Sequence, residues 1–350
     1  MMKKNHFLIV GAGLSGCCIA VHLLQEGQRV TVIDNQKNIS SKVAAGIVNP
    51  IVFRRMTKSW RVDEMLPYSN AFYSELSKKT GVRLHVPITL RRMFSSEQER
   101  DFWLTKEKRA DFCPYLNPIT TEDMNFDGAI NTFGSGRLNQ TFYVLTDSFL
   151  NTVHQFITTS ENGTLIKTDL DYTTIDPDLG IYNETSYDGI IFCEGVSVKE
   201  NPWFNYIPVN PTKGEILTIH TTAIQENELL NRKCFLLPIG NNTFKVGSTY
   251  VWDTLDNTPT NSGKQEIESN LRYLTDKNYT IINQESGIRP TTRDRRPIIG
   301  THKAFNKLHV FNGLGAKGYL LAPLLAKEFV THLLTGAPLD PEVVINRIED

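Results

Sequence analysis

Apolar residues in this chain gather into short β-type runs and longer helical stretches, and their order predicts a mixed α/β fold. His6–Val10 is a compact apolar run, Leu14–Gln25 carries helical periodicity, and 29–33 forms a second β run closed by Asp34. That order reads as a β–α–β unit. Far downstream, the run 308–311 leads into an apolar helix expected over 319–334. Between them the periodicity predicts helices over 63–80, 96–108, 147–158 and 262–275, a short strand at 165–167, and a buried strand within 188–195 that ends in glycine. Segments 235–238 and 244–250 read as antiparallel strands turned around Gly240-Asn241-Asn242. β-rich stretches near 82–135 and 205–286 thus alternate with nucleotide-type elements, which predicts two domains interleaved in sequence.

The turn of the leading unit holds Gly11-Ala12-Gly13-Leu14-Ser15-Gly16, a G-x-G-x-x-G fingerprint, with Asp34 standing 18 residues beyond Gly16. In that pattern Gly11 permits a tight turn, Gly13 lets a pyrophosphate approach the backbone, and Gly16 lets helix and strand pack closely. The helix start near Leu14 and Ser15 offers free N–H groups and partial positive charge to phosphate. Asp34, with Asn35 beside it, is placed to accept hydrogen bonds from ribose hydroxyls and disfavours a 2′-phosphate, so an NAD- or FAD-type ligand is expected. A competing reading exists. Met1-Met2-Lys3-Lys4 precedes an uncharged run from Phe7 to Leu24, and Leu14-Ser15-Gly16-Cys17 has the look of a lipoprotein cleavage box. A signal peptide has no use for the strand and acid that follow, so the nucleotide unit is preferred.

Near the other end, Gly313-Leu314-Gly315-Ala316-Lys317-Gly318 repeats the G-x-G-x-x-G spacing before the last helix. A second full nucleotide fold does not follow, because 335–350 brings Gly336, Pro338 and Pro341 and no strand closed by an acid. The alternatives are a tight loop capping a core helix, or a second helix N-terminus aimed at the far end of the same cofactor. The latter is preferred, since a helix N-terminus with Lys317 would stabilise charge gathering on a reduced flavin ring. Electrons are then expected to leave to O2, a quinone or a protein, with no nicotinamide site. Ser40-Ser41-Lys42-Val43-Ala44-Ala45-Gly46-Ile47-Val48-Asn49-Pro50 is rich in small residues, which suits a backbone pressed against a flat ring or phosphate. Leu170, Cys193 and Gly195 complete the expected cofactor wall, with Cys193 as a small packing residue.

Composition narrows the classes. The 350 residues are 40% hydrophobic and 21% charged, and 37 basic against 38 acidic side chains leave a net charge of −1. That excludes disordered and fibrous chains, and gives no general attraction to nucleic acid or anionic membranes. Five cysteines without a C-x-x-C exclude a disulfide framework and fit a reducing, cytoplasmic setting. The eight histidines show no H-x-x-x-H spacing, so no catalytic metal is expected, nor is membrane insertion. Segment 287–300 holds four arginines and one acid. Arg289 stands out there: it sits between a glycine-containing strand end and Pro290, on rigid backbone suited to a bidentate carboxylate clamp. The Arg293-Asp294-Arg295 group reads as structural or surface.

Taken together, 11–16 with Asp34, Ala45-Gly46-Ile47-Val48-Asn49-Pro50, 235–238 with 246–250, Gly287-Ile288-Arg289-Pro290 and Gly318-Tyr319-Leu320-Leu321-Ala322-Pro323 resemble the D-amino-acid oxidase family of FAD-dependent oxidoreductases, especially its glycine oxidase branch. The resemblance implies an α/β fold with an α+β substrate part. In it a Rossmann-like FAD-binding domain (1–80, 136–204 and 287–350) interleaves with a mostly antiparallel β-sheet substrate-binding domain (81–135 and 205–286). It implies non-covalent FAD and oxidation of a C–N bond in a small amine or amino acid, by hydride transfer from the α-carbon to flavin and hydrolysis of the imine. By the same resemblance Arg289 grips the substrate carboxylate, and Leu314 through Leu320 surround the flavin's pyrimidine side. Two departures are visible. Phe235 stands where these oxidases carry a pocket tyrosine, with Tyr250 as a neighbouring substitute, and Glu194-Gly195 replaces the usual threonine-glycine.

Segments 292–300 and 315–323 are also similar to the FAD domain of the bifunctional enzyme that modifies the tRNA wobble uridine by removing a carboxymethyl group. Arg54, Arg55, Lys58, Arg61, Arg91 and Arg92 are the local basic groups an RNA substrate would need. A non-catalytic flavin-binding protein is the remaining alternative.

Overall fold

Residues 4–253 and 255–348 are described by the computed structural model, so residues 1–3 of the basic start lie outside the described residues. Two large sheets are built from strands that run, in chain order, β1 (His6–Val10), β2 (Arg29–Asp34), β3 (Thr89–Met93), β4 (Ser135–Leu138), β5 (Gly163–Lys167), β6 (Gly189–Phe192), β7 (Val209–His220), β8 (Glu228–Arg232), β9 (Cys234–Gly240), β10 (Thr243–Gly247), β11 (Thr280–Thr292), β12 (Ile298–Thr301) and β13 (Leu308–Asn312). The six-stranded sheet has the order β5-β2-β1-β6-β13-β12. Its strands are parallel except for β12, which runs against β13. The seven-stranded sheet, β11-β7-β10-β9-β8-β3-β4, is antiparallel apart from β8 beside β3.

Four helices matter for the site: α1 (Leu14–Gln25), α2 (Val62–Thr80), α3 (Thr146–Thr159) and α4 (Gly318–Thr335). α1 is apolar almost all round because it is enclosed, with nine of its residues buried. α1, α2, α3 and α4 agree with the sequence reading to within a residue at each end. Helices expected over 96–108 and 262–275 are shorter, at Glu97–Lys106 and Asn261–Leu271. The hairpin around Gly240-Asn241-Asn242 forms as expected, with all three residues at positive φ.

Parallel strands leave their C-terminal ends and the following loops on one edge, which is where ligands settle in open α/β sheets. β1, β2 and β6 deliver Gly11, Asp34 and Cys193 to that edge. β7 and β11 pair along nearly their whole length, setting Thr212 opposite Arg289 and Gly214 opposite Gly287. The expected domain boundaries at 135/136 and 286/287 fall inside β4 and β11, both strands of the seven-stranded sheet. Among the described residues, no helix is long and apolar enough to cross a membrane.

Candidate functional site

A cavity of about 520 Å³ opens between the two sheets. Its wall takes in Gly11, Gly13, Leu14 and Ser15 from the first glycine cluster and Leu314, Gly315, Ala316, Lys317, Gly318, Tyr319 and Leu320 from the second. Asp34, Asn35, Ser40, Ser41, Ala44, Ala45, Gly46, Ile47, Leu170, Cys193 and Gly195 share that wall with Phe235, Tyr250 and Arg289. Clusters some three hundred residues apart thus meet at one cavity. The contact between them is close: a Cβ built on Gly318 would lie 2.9 Å from Leu14 Cδ2.

Two expected cofactor residues stand off this wall, Gly16 and Gly313. Gly16 serves the packing of α1 on β1, since a Cβ there would fall 1.9 Å from the Gly11 carbonyl oxygen. Gly313 turns the chain at φ 79°, with Thr292 Cγ2 2.8 Å from where its Cβ would be. Both shape the cavity from behind.

The phosphate-type cradle follows from backbone geometry. Gly11 has φ 103°, and a Cβ there would sit 2.5 Å from the Cys193 carbonyl oxygen. The Asp34 carboxylate accepts from the Ala12 N–H at 2.6 Å and the Gln36 N–H at 2.6 Å, so it braces the glycine turn while lying on the cavity wall. The Ser41 hydroxyl accepts from the Leu14 N–H at 3.0 Å. The other N–H groups in the first turn of α1 have no intrahelical acceptor and suit an anion. Tyr319 ties the second cluster to the same loop by donating to the Ser41 carbonyl at 2.7 Å. Cys193 is buried, which drives its thiol well above the ordinary range, and it packs as a small residue. These residues fit FAD: a cradle closed to any Cβ, an acid at the end of β2, and a second helix start at the same cavity.

Lys317 is anchored on this wall by the loop that follows Ala45. Its ammonium donates to the Asn49 carbonyl (3.3 Å), the Asn49 side chain (3.2 Å) and the Ser59 hydroxyl (2.5 Å), which uses its three donors on the loop after Ala45. Burial lowers its pKa to about 8. Lys317 therefore clamps the 45–59 segment onto α4, on the wall it shares with Asn49 and the rest of 314–318.

Arg289 reaches the cavity from β11. Its guanidinium donates to the Ser248 hydroxyl at 2.8 Å and the Thr249 carbonyl at 3.2 Å, and lies 4.6 Å from the Tyr250 ring. Among the described residues it has no carboxylate partner. Burial pulls its pKa below the usual arginine value. Room for it comes from Gly214 on β7, where a Cβ would fall 1.9 Å from Nη2. Gly214 was missed in the sequence; a lone glycine within an apolar strand is the signal that marks close backbone approach. Phe235 flanks the same region, its ring 3.2 Å from where a Gly247 Cβ would stand. Tyr250 is 49% exposed, so it caps the guanidinium from the solvent side.

The basic groups raised for RNA are mostly spent. Lys58 pairs with Asp63, Arg61 with Glu64, Glu328 and Asp340, Arg91 with Asp123 and Glu228, and Arg92 with Glu99. Arg91 is 1% exposed. Arg54 and Arg55 alone of the six are exposed and outside these pairs. Asp294 and Arg296 likewise join Arg347 and Glu342 in the packing of the C-terminal segment.

A family model described as FAD dependent oxidoreductase matches residues 6–331. A glycine oxidase of Bacillus licheniformis is 22% identical over 98% of this chain and 96% of its own length. The bifunctional protein of tRNA 5-methylaminomethyl-2-thiouridine biosynthesis from Idiomarina loihiensis is 28% identical over 38% of this chain, a match that spans 22% of that protein. Among solved structures, the crystal structure of glycine oxidase from Geobacillus kaustophilus superposes with a TM-score of 0.80 at 18% identity, covering 96% of both chains, which is a likeness of fold.

Proposed function

The chain belongs to the DAO family of FAD dependent oxidoreductases, and from that premise we propose that it oxidises the C–N bond of a small carboxylate-bearing amine of the glycine, N-methylglycine or D-amino-acid type. The observation that carries this reading is Arg289: a guanidinium without a carboxylate partner among the described residues, held rigid by Ser248 and Thr249, on the wall both glycine clusters share. A guanidinium with neutral partners and donors to spare, in a partly dry cavity, is suited to one planar anion.

Bound FAD supplies the acceptor for a hydride leaving the substrate carbon. The chain's part is placement. Arg289 fixes the carboxylate, Tyr250 covers the guanidinium, and Phe235 with Ile216 and Leu229 lends an apolar wall that keeps water from the amine. Among the described residues the hydrogen-bond and ring partners of Arg289 are Ser248, Thr249 and Tyr250, none a carboxylate or imidazole, which supports entry of the substrate as a neutral amine. The six-stranded sheet is then the cofactor half and the seven-stranded sheet the substrate half. Because the second glycine cluster belongs to the first one's cavity, we read the electron acceptor as O2 or another small or protein acceptor.

An anaerobic screen of glycine, N-methylglycine and D-amino acids against the yellow holoenzyme tests this reading. Bleaching of the visible flavin band by at least one carboxylate amine is expected, and failure of all of them refutes it. The partial match to the tRNA-modifying protein favours a second substrate, the carboxymethylaminomethyl group of a tRNA wobble base. The ion pairing of Lys58, Arg61, Arg91 and Arg92 weighs against it. Salt-sensitive tRNA binding with no bleaching by free amines would decide for the RNA.

A further inference from the structure

The seven-stranded sheet turns one face to the cavity, and the pairing registers show how far that face extends. Ile216, Gly247, Phe235 and Asn231 stand directly opposite one another across β7, β10, β9 and β8, and all four lie on the cavity wall. Directly opposed residues share a face of a sheet, so the floor that begins at Arg289 continues past Phe235 to Asn231. β10 leads into the Ser248 that holds Arg289, and it lies two strand spacings from β8, about 10 Å. The middle of this floor is apolar and its far side is polar. There Arg92, from β3, donates through Nη1 to Asn231 Oδ1 at 2.7 Å and is itself paired with Glu99. That bond settles which end of the amide is which, and Nδ2 is the end with donors to spare. One of its N–H groups reaches the Cys234 carbonyl at 3.4 Å, and among the described residues the other has no partner.

Lys233, at the turn between β8 and β9, lies on the same wall. Its ammonium is 5.6 Å from the centroid of the Tyr273 ring, and among the described residues it forms no ion pair. On the part of the wall supplied by the seven-stranded sheet and its turns, the charged residues are Arg289 and Lys233, both cations. The acids of the wall, Asp34, Asp169, Glu194 and Glu200, all follow or close strands of the six-stranded sheet. Glycine or N-methylglycine is satisfied by Arg289 alone and leaves Asn231 unengaged. We propose that the preferred substrate is a secondary amine with a carboxylate on each side of its nitrogen, one gripped by Arg289 and the other received by the Asn231 amide and the Lys233 ammonium. Cations at both ends of a floor that carries no acid favour a dianion, and the spare amide N–H gives the second carboxylate a directed donor. Apolar Phe235 between the two anchors suits the uncharged middle of such a molecule. This inference rests on the amine oxidation proposed above and narrows its substrate.

Holoenzyme is reduced anaerobically with glycines whose N-substituents are paired by length: ethyl against carboxymethyl, propyl against carboxyethyl, and butyl against carboxypropyl. In at least one pair the acid is expected to reduce the flavin about tenfold more efficiently than its alkyl partner, the worth of one hydrogen bond to a charged group. Added salt should shrink that advantage. Asn231→Leu is expected to bring the acid-to-alkyl ratio close to one. Lys233→Gln, at an exposed turn, is expected to lower the ratio and weaken its dependence on salt, and it serves if the first variant does not fold. Acid arms that do no better than alkyl arms in every pair, or the native ratio in either variant, overturn the proposal. Failure of every amine, alkyl arms included, would instead refute amine oxidation itself and this substrate with it.

Discussion

Gly214→Ala probes the proposed carboxylate clamp without touching its charge. The added methyl group would start 1.9 Å from Arg289 Nη2, 2.2 Å from Cζ and 2.3 Å from Nη1, where ordinary contact begins at 3.4 Å. The guanidinium must therefore retreat by about 1.5 Å, the difference between the first and last of those distances. Its hydrogen bond to Ser248 is 2.8 Å long and that to Thr249 is 3.2 Å, so neither survives a shift of that size in place. A displaced fork presents at most one donor to a planar anion. Loss of one charge-assisted hydrogen bond is worth about 2–3 kcal/mol, or roughly 30- to 150-fold in kcat/KM. The assay is anaerobic flavin reduction with the best carboxylate amine from the screen, which separates substrate dissociation constant from limiting rate. Weakened binding is expected with flavin content unchanged, since Gly214 braces Arg289 and lies apart from the phosphate cradle. Efficiency within threefold of native, or an equal loss with an amine lacking a carboxylate, would refute the reasoning.

Arg289→Ala should keep the yellow colour and lose about 2–4 kcal/mol of transition-state binding for carboxylate substrates; unchanged kinetics would remove the clamp. Gly11→Ala places a side chain at φ 103° and 2.5 Å from the Cys193 carbonyl, so a lowered melting temperature and loss of FAD are expected, at a cost of about 2–4 kcal/mol; native flavin stoichiometry would count against the cradle. Lys317 has a folded-state pKa of about 8, below its ordinary 10.5, so the folded chain sheds this proton first. Stability should rise as pH climbs from about 8 toward the lysine range, by up to about 3 kcal/mol, and Lys317→Met should lack that rise. Denaturant midpoints at pH 7.5 and 10 check this, and identical increments in both proteins would contradict it.

Local chemistry was enough to read much of this protein from its residues. The β–α–β start with Gly11, Gly13, Gly16 and Asp34 is legible because a tight turn, a close helix and an acid at a strand end each demand particular residue types within a short span. The hairpin at Gly240-Asn241-Asn242 and the rigid setting of Arg289 before Pro290 are legible for the same reason. Other features depend on neighbours distant in the chain. Lys317 carries the expected charge, yet that its donors go to Asn49 and Ser59 follows only from the fold. Arg61 and Arg91 look like an RNA-facing patch until the fold sets Glu328, Asp340 and Glu228 against them. Gly214 finds its purpose across a strand pair. The amino-acid order by itself determined the elements, the cofactor turn and the kinds of group available, since backbone conformation and burial period are local properties. Only the tertiary structure decided which charges are free and which are spent, because Coulomb and hydrogen-bond partners are chosen by distance in space, and sheet order brings residues hundreds of positions apart within a few ångströms.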